Sequence, residues 1–279
     1  DGLDLSVWFG DSAMRPVIDF HTHAFPDSVA EKAMMSMQAE ADWKAVLDGR
    51  LSSLIASMDR AGIQTSVLCN IATRPKQYEP ILEWSKQIRS PRIIPFPSVH
   101  PADPDAVRKV EQVADAGFVG MKFHPYYQDF DLDEPRMMPI YEALSRHRLI
   151  TVIHTGFDIA FEWIDRAGPQ RILRVLEQVP ELRLITTHVG SWQQWDEVER
   201  YLLGKPIWMD ISVSREFLGE ERFRQMLLAH PADYLLFGTD SPWADQADMI
   251  AFLESLDLPE VTLNKMLYQN ARRLLNHQA

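Results

Sequence analysis

The sequence predicts an eight-stranded (β/α) barrel, and three observations carry that prediction. Eight short aliphatic or β-branched runs alternate with amphipathic helical windows from Val17 to the C-terminus, and such alternation implies a parallel sheet. The chain has 279 residues, close to the roughly 250 that one closed barrel of this kind uses. No G-x-G-x-x-G or Walker-type loop follows any strand, which tells against the alternative, an open doubly wound nucleotide-binding sheet.

The strand candidates begin at Val17 (VIDFHTH), Thr65 (TSVLCNI), Ile93 (IIPFPSVH), Phe118 (FVGMKFH), Leu149 (LITVIHT), Leu182 (LRLITTH), Ile207 (IWMDISV) and Tyr234 (YLLFGTD). Helical windows follow, among them 105–116, 138–148 and 170–179. Asp103-Pro104 and Gly168-Pro169 supply helix starts, while Gly62 and Gly117 supply stops. The long connection from Ala24 to Gly62 holds an extra helical window, Val29–Leu47, before the expected helix Leu51–Ala61. Insertions of this kind serve as lids or binding loops, or simply pack on the surface. The last window, Val261–Asn276, reads as a helix closing one end or the outside of the barrel. Residues 14–279 therefore form one domain, and the acidic residues 1–13 read as an extension upstream of it.

Hydrophobic residues at 46% against 24% charged suit a soluble chain with one large core. A net charge of −12 without any run of Lys and Arg excludes nucleic acid as a partner. No apolar stretch is long enough to span a membrane and none resembles a secretory signal. The lone cysteine, Cys69, cannot form an internal disulfide and lies in an apolar run, as a buried core thiol would. A cytoplasmic enzyme acting on a small molecule is the expectation, and a homodimer is compatible with it.

The histidines are the strongest functional signal. His21 and His23 end the first strand one residue apart, so period-two alternation turns both to one face. His154, His188 and Asp240 fall at the ends of the fifth, sixth and eighth strands. In a barrel all these ends open onto the same face, where active sites of this architecture lie. Lys122 and His124 share the inward parity of the fourth strand. Burying so many polar groups without partners would be costly, which argues for a bound metal ion.

These motifs, taken in order, resemble those of the amidohydrolase superfamily, a group of metal-dependent TIM-barrel enzymes. The likeness rests on Ile18-Asp19-Phe20-His21-Thr22-His23, Gly120-Met121-Lys122-Phe123-His124-Pro125, Ile153-His154-Thr155-Gly156, Thr187-His188-Val189-Gly190 and Phe237-Gly238-Thr239-Asp240-Ser241-Pro242. It spans Val17 to Leu275 and is nearest to the branch containing aminocarboxymuconate-semialdehyde decarboxylase and related ring decarboxylases. The resemblance implies that His21, His23, His154 and Asp240 hold a divalent ion, Zn²⁺ before Mn²⁺. It further implies that His188 and Lys122 either complete a second metal position or do other work. A carboxylated Lys122 would bridge two ions, with His188 on the second. In the one-metal alternative His188 carries protons, and Lys122 is ion-paired with an acid such as Asp19, whose parity also reads inward.

Asp240 and His188 are the expected catalytic residues. His124, Tyr126, Arg74, Trp192, Arg215 and Trp243 are the candidate substrate contacts, the two arginines as holders of a carboxylate. Phe25 and Phe157 add to the aromatic residues at strand ends, favouring a flat or apolar substrate. His100 reads as a turn residue, and His147, His230 and His277 as solvent-facing. The main functional expectation is a hydrolase that activates water to cleave an ester, lactone or amide in a small carboxylated or cyclic compound. The alternative is a non-oxidative carboxy-lyase of an unsaturated or aromatic acid. A silent, ligand-binding barrel is disfavoured, since it has no need of His188 and Asp240 together.

Overall fold

A computed structural model describes residues 15–276. The upstream extension 1–13 and His277 therefore lie outside the described residues. Eight parallel strands appear in chain order: β1 (Ile18–Thr22), β2 (Thr65–Cys69), β3 (Ile93–Phe96), β4 (Gly120–Phe123), β5 (Ile150–Ile153), β6 (Leu184–Thr186), β7 (Trp208–Asp210) and β8 (Leu235–Leu236). They pair sequentially as β1-β2-β3 and β4 through β8. Two seams close the ring: Lys122 N donates to Pro97 O at 3.0 Å, and Phe20 N donates to Phe237 O at 2.8 Å. The predicted (β/α)₈ barrel is what the chain forms.

The helices are α1 (Asp27–Ala41), α2 (Leu51–Ala61), α3 (Tyr78–Ile88), α4 (Ala106–Asp115), α5 (Met138–Arg146), α6 (Pro169–Gln178), α7 (Trp195–Tyr201), α8 (Arg215–Leu218), α9 (Glu220–Ala229), α10 (Gln246–Ser255), α11 (Glu260–Asn264) and α12 (Asn270–Asn276). Gly62 and Gly117 end their helices with φ of 70° and 75°, a conformation glycine adopts without penalty. Pro169 opens α6 behind Gly168. The inserted helix α1 begins and ends earlier than its apolar pattern suggested, because Asp42 turns the chain into the left-handed region after Ala41. The C-terminal window is helical without a break from Glu260 to Asn276, with a π stretch, Lys265–Gln269, between α11 and α12. No helix among the described residues is long and apolar enough to cross a membrane.

Alternation along each strand divides the core in two. One face packs outward on the helices, with Leu68, Met121, Phe123, Ile153, Met209 and Phe237 among its members. The other fills the barrel: Ile18, Phe20, Val67, Ile94, Phe96, Val152 and Ile185 pack with Ala271, Leu274 and Leu275 of α12. Gly120 is required here, since a Cβ on it would lie 2.4 Å from the Phe96 ring. Helix α12 thus stoppers the amino-terminal end of the barrel. The opposite end is left for chemistry.

Candidate metal and substrate site

The first strand does not alternate simply. Ile18 pairs with Thr65 and Asp19 with Ser66, but Thr22 pairs with Leu68, so β1 carries an extra residue. This bulge lets Phe20 face the barrel core while His21 and His23 still line the open end. Strict alternation would put Asp19 with the histidines, and that expectation is corrected. Asp19 is fully buried but accepts from Thr239 N (3.1 Å), Thr239 Oγ1 (2.6 Å) and Gln246 Nε2 (2.8 Å). Burial pushes its carboxyl up to about 7 against those donors. It is not the partner of Lys122.

His21 and His23 each spend Nδ1 on an acceptor. His21 Nδ1 donates to Asp210 Oδ2 at 2.8 Å, and His23 Nδ1 donates to Cys69 O at 2.7 Å. Both rings therefore present the lone pair of Nε2, and these two atoms lie 3.2 Å apart. Asp240 Oδ1 stands 3.4 Å from one and 3.0 Å from the other. Burial, reinforced by the Lys122 charge, depresses the His21 pKa to about 4, so the ring is neutral at physiological pH. Burial opposes the Asp240 charge, but His21 and His23 outweigh it and hold this carboxyl well below the usual range. Three potential electron-pair donors converge within 3.4 Å of one another, which suits a divalent cation.

The same accounting extends along a row of imidazoles. His188 Nδ1 donates to Ser212 O at 3.0 Å and His154 Nε2 donates to Phe157 O at 2.9 Å. The remaining ring nitrogens, His188 Nε2 and His154 Nδ1, lie 3.1 Å apart, within hydrogen-bond distance. His154 stacks on His124 with centroids 4.2 Å apart, and burial drives both rings well below their ordinary pKa. His124 in turn reaches Asp158 Oδ2 at 3.3 Å. His154 is thus grouped geometrically with His124 and Asp158, while His21, His23 and Asp240 form their own group. With its Nε2 already taken by the Phe157 carbonyl, His154 offers Nδ1, toward His188.

Lys122 is 1% exposed, and its Nζ lies 3.1 Å from His21 Nε2. Among the described residues no carboxylate comes within ion-pairing distance of it. The turns that carry this site depart from regular strand. His188, Val189 and Asp240 have φ of 60°, 53° and 60°, which costs energy in residues with a Cβ. Asp240 N donates to His21 O at 2.7 Å, and His188 N donates to Asp210 Oδ1 at 3.1 Å, pinning both turns. Gly156 completes the Ile-His-Thr-Gly motif for a steric reason: a Cβ there would lie 2.0 Å from Trp192 N.

Asp210 and Ser212 are the residues that sequence reasoning missed. Buried Asp210 holds His21, the His188 backbone and both the N–H and hydroxyl of Ser212. Burial raises its carboxyl, but His21, protonated in the acid range where Asp210 titrates, and its hydrogen bond prevail and keep it below the usual range. Its place at the end of the seventh strand, in Trp-Met-Asp, is the signal by which it could have been found.

All six metal-competent residues open onto one cavity of about 940 Å³ together with His124, Tyr126, Arg74, Trp192 and Trp243. Arg215 does not join them. Its guanidinium meets Glu216 Oε1 at 2.8 Å, the Asp248 carbonyl and the Phe252 ring, because α8 turns it toward α10. Phe157 is also diverted, stacking on Trp163, and Phe161 takes a place in the wall instead. His100 caps a turn, as expected, by accepting from Ala102 N. His230 is buried rather than solvent-facing, with Nε2 on the Ile207 carbonyl at 2.8 Å.

The structure resembles several solved barrels over nearly its whole length. A TIM-barrel protein from Bordetella bronchiseptica shares 18% identity at a TM-score of 0.76, covering 94% of this chain and 99% of that one. The 2,6-dihydroxybenzoate decarboxylase from Rhizobium shares 16% identity at a TM-score of 0.68, with 95% and 100% covered. The 5-carboxyvanillate decarboxylase of Novosphingobium aromaticivorans, solved with manganese and 3-methoxy-4-hydroxy-5-nitrobenzoic acid, shares 14% at 0.68, with 95% and 98% covered. No functionally curated protein matches the chain. The amidohydrolase family model matches residues 18–276, so nearly everything described above, from the first histidine to the stopper helix, lies within it: the chain belongs to the amidohydrolase family.

Proposed function

We propose that this protein is a metal-dependent, non-oxidative decarboxylase of an aromatic or unsaturated carboxylic acid, in preference to the hydrolase reading. The observation that carries the proposal is a compact His21–His23–Asp240 ligand group in a largely apolar, aromatic-walled cavity. An ionised carboxylate is expensive to keep in such surroundings, whereas departing CO₂ is neutral, so the walls favour a reaction that loses the charge. Hydrolysis of an ester or lactone would leave a new carboxylate in the same place. The decarboxylases of similar fold add support.

His21, His23 and Asp240 would hold the ion, with His154 Nδ1 turned toward the same region. When bound, the ion supplies a positive centre that orients the acid and steadies negative charge on its carbon skeleton. The C–CO₂ bond breaks, and a proton takes its place on the carbon. His188 is the candidate carrier, fixed through Nδ1 by Ser212 and with Nε2 3.1 Å from His154 Nδ1, the nitrogen placed to take and give a proton. Asp210 fixes the His21 tautomer. Tyr126 and Trp192 wall the acid in, and Arg74 stands at the rim.

The hydrolase reading keeps one specific support. Buried Lys122 lacks a nearby carboxylate, and a carboxylated Lys122 would remove that deficit by bridging two ions. Metal analysis and turnover separate the two. The decarboxylase reading expects one ion per chain and CO₂ release from a panel of hydroxybenzoates. It also expects His188→Ala to lose about 10²–10⁴-fold in turnover, which added metal does not restore. Two ions per chain, lactone or ester cleavage and no CO₂ release would sink it.

A further inference from the structure

The substrate acids of the decarboxylases with similar folds are single rings, and the cavity here is larger than such a ring requires. At about 940 Å³ it stands near the top of the range, roughly 300–1,000 Å³, typical of pockets that take drug-sized ligands. A monocyclic acid of about ten non-hydrogen atoms, allowed even the roughly 30 Å³ of a water molecule for each, fills about a third of it. The rest of the space has walls of definite character. Helix α1 contributes Val29, Ala33 and Met37, spaced four residues apart and so on one helical face, with Ser36 and Glu40 as a polar margin beside them. Helix α3 contributes Pro80, Ile81 and Trp84, again one face. These side chains are apolar yet not packed away: Val29 is 47% exposed, while Ala30 and Met34, turned to the other side of α1, are buried. A helix inserted between β1 and α2 thus buries one apolar face and offers a second to the cavity.

We infer that the acid this site accepts carries an extended apolar body, an alkyl or second aryl group, seated along the α1 and α3 faces while its carboxyl end lies at the histidines. This rests on the acid-binding reading above and names the substrate class for the same site. Contact with these faces removes apolar area from water on both partners, so affinity rises with each added methylene. Arg74, Thr73 and Gln77 form a polar edge beside α3, where the body meets solvent.

Isothermal titration calorimetry with benzoate, para-butylbenzoate and para-octylbenzoate tests the inference, in buffer with and without Mn²⁺. The expected result is tightening at each step, at least tenfold from benzoate to para-octylbenzoate, at one site per chain. Ile81→Asp cuts that preference at least tenfold. Val29→Asp does the same at a half-open surface position that tolerates a charge, so a misfolded Ile81→Asp does not spoil the test. Leu228→Asp, on the exposed side of α9 away from the cavity, keeps the full preference. Equal affinity for the three acids overturns the inference, as does a chain-length preference that survives both wall variants. Because binding is read without turnover, failure of the decarboxylase reading shows instead as absent CO₂ release beside an intact preference.

Discussion

At the floor of the barrel, Phe20, Phe96 and Val152 pack with Leu274 and Leu275 of α12, Phe96 and Val152 with their backbones in regular strand. Toward the carboxyl ends of the strands stand His21, His188 and Asp240, and the backbone there is bulged in β1 or turned through positive φ. The border between the two regions runs between consecutive residues, Phe20 and His21. The floor follows the period-two pattern and gains its stability from burial. The rim breaks the pattern, holds strained turns and buries polar groups whose satisfaction depends on one another, as functional sites do. Stability and chemistry are therefore assigned to opposite ends of the same eight strands.

Crossed substitutions give the largest effects and would break this division if it is false. Phe96→Ala opens a cavity above Gly120 and should cost about 3–5 kcal/mol of stability. The folded fraction should keep its metal content. His21→Ala with His23→Ala should do the reverse, abolishing tightly bound metal and turnover while the barrel stays folded. Circular dichroism melts and metal analysis on the two proteins decide it. Full metal occupancy in the double variant would remove the ligand assignment.

A smaller effect sharpens the comparison within the rim. Asp210→Asn keeps the size of the side chain but withdraws the charge that holds Nδ1–H of His21. A loss of about 10–100-fold in metal affinity is expected, the usual consequence of disturbing a group behind a ligand. Unchanged affinity in a competition titration with a chelator would mean that the His21 tautomer is set by Ser212 alone, 3.2 Å away.

What could be read in the sequence follows the same division. Regular alternation and strand-helix rhythm made all eight strands and the inserted helix legible, because period-two burial is a local property. The histidines and Asp240 were legible through their places at strand ends. Asp19 was misplaced because a bulge is one inserted residue, invisible to a rule of alternation. Asp210 was passed over because its importance lies in partners 22 and 189 residues away in the chain. Arg74 and Arg215 looked equivalent, each following a strand, until helix direction separated them.

That last pair gives the smallest expected effect and the finest test of where the site ends. Arg215 is held by a neighbour, Glu216, by the Asp248 carbonyl and by the Phe252 ring face 5.0 Å away. A half-exposed pair of this kind contributes about 0–1 kcal/mol, and the ring contact about 0.5–1 kcal/mol more. Arg215→Ala should therefore lower stability by no more than about 1–2 kcal/mol and leave KM for any acid substrate unchanged. Arg74 has no ion-pair partner among the described residues and lines the cavity. Its loss should cost little stability, since no internal bond is broken, but it should raise KM for acids that reach the rim. Paired steady-state kinetics and melts read both outcomes. A raised KM in Arg215→Ala with none in Arg74→Ala would mean that the β7–α8 turn swings toward the cavity when substrate binds, and the rim drawn here would have to be redrawn around α8.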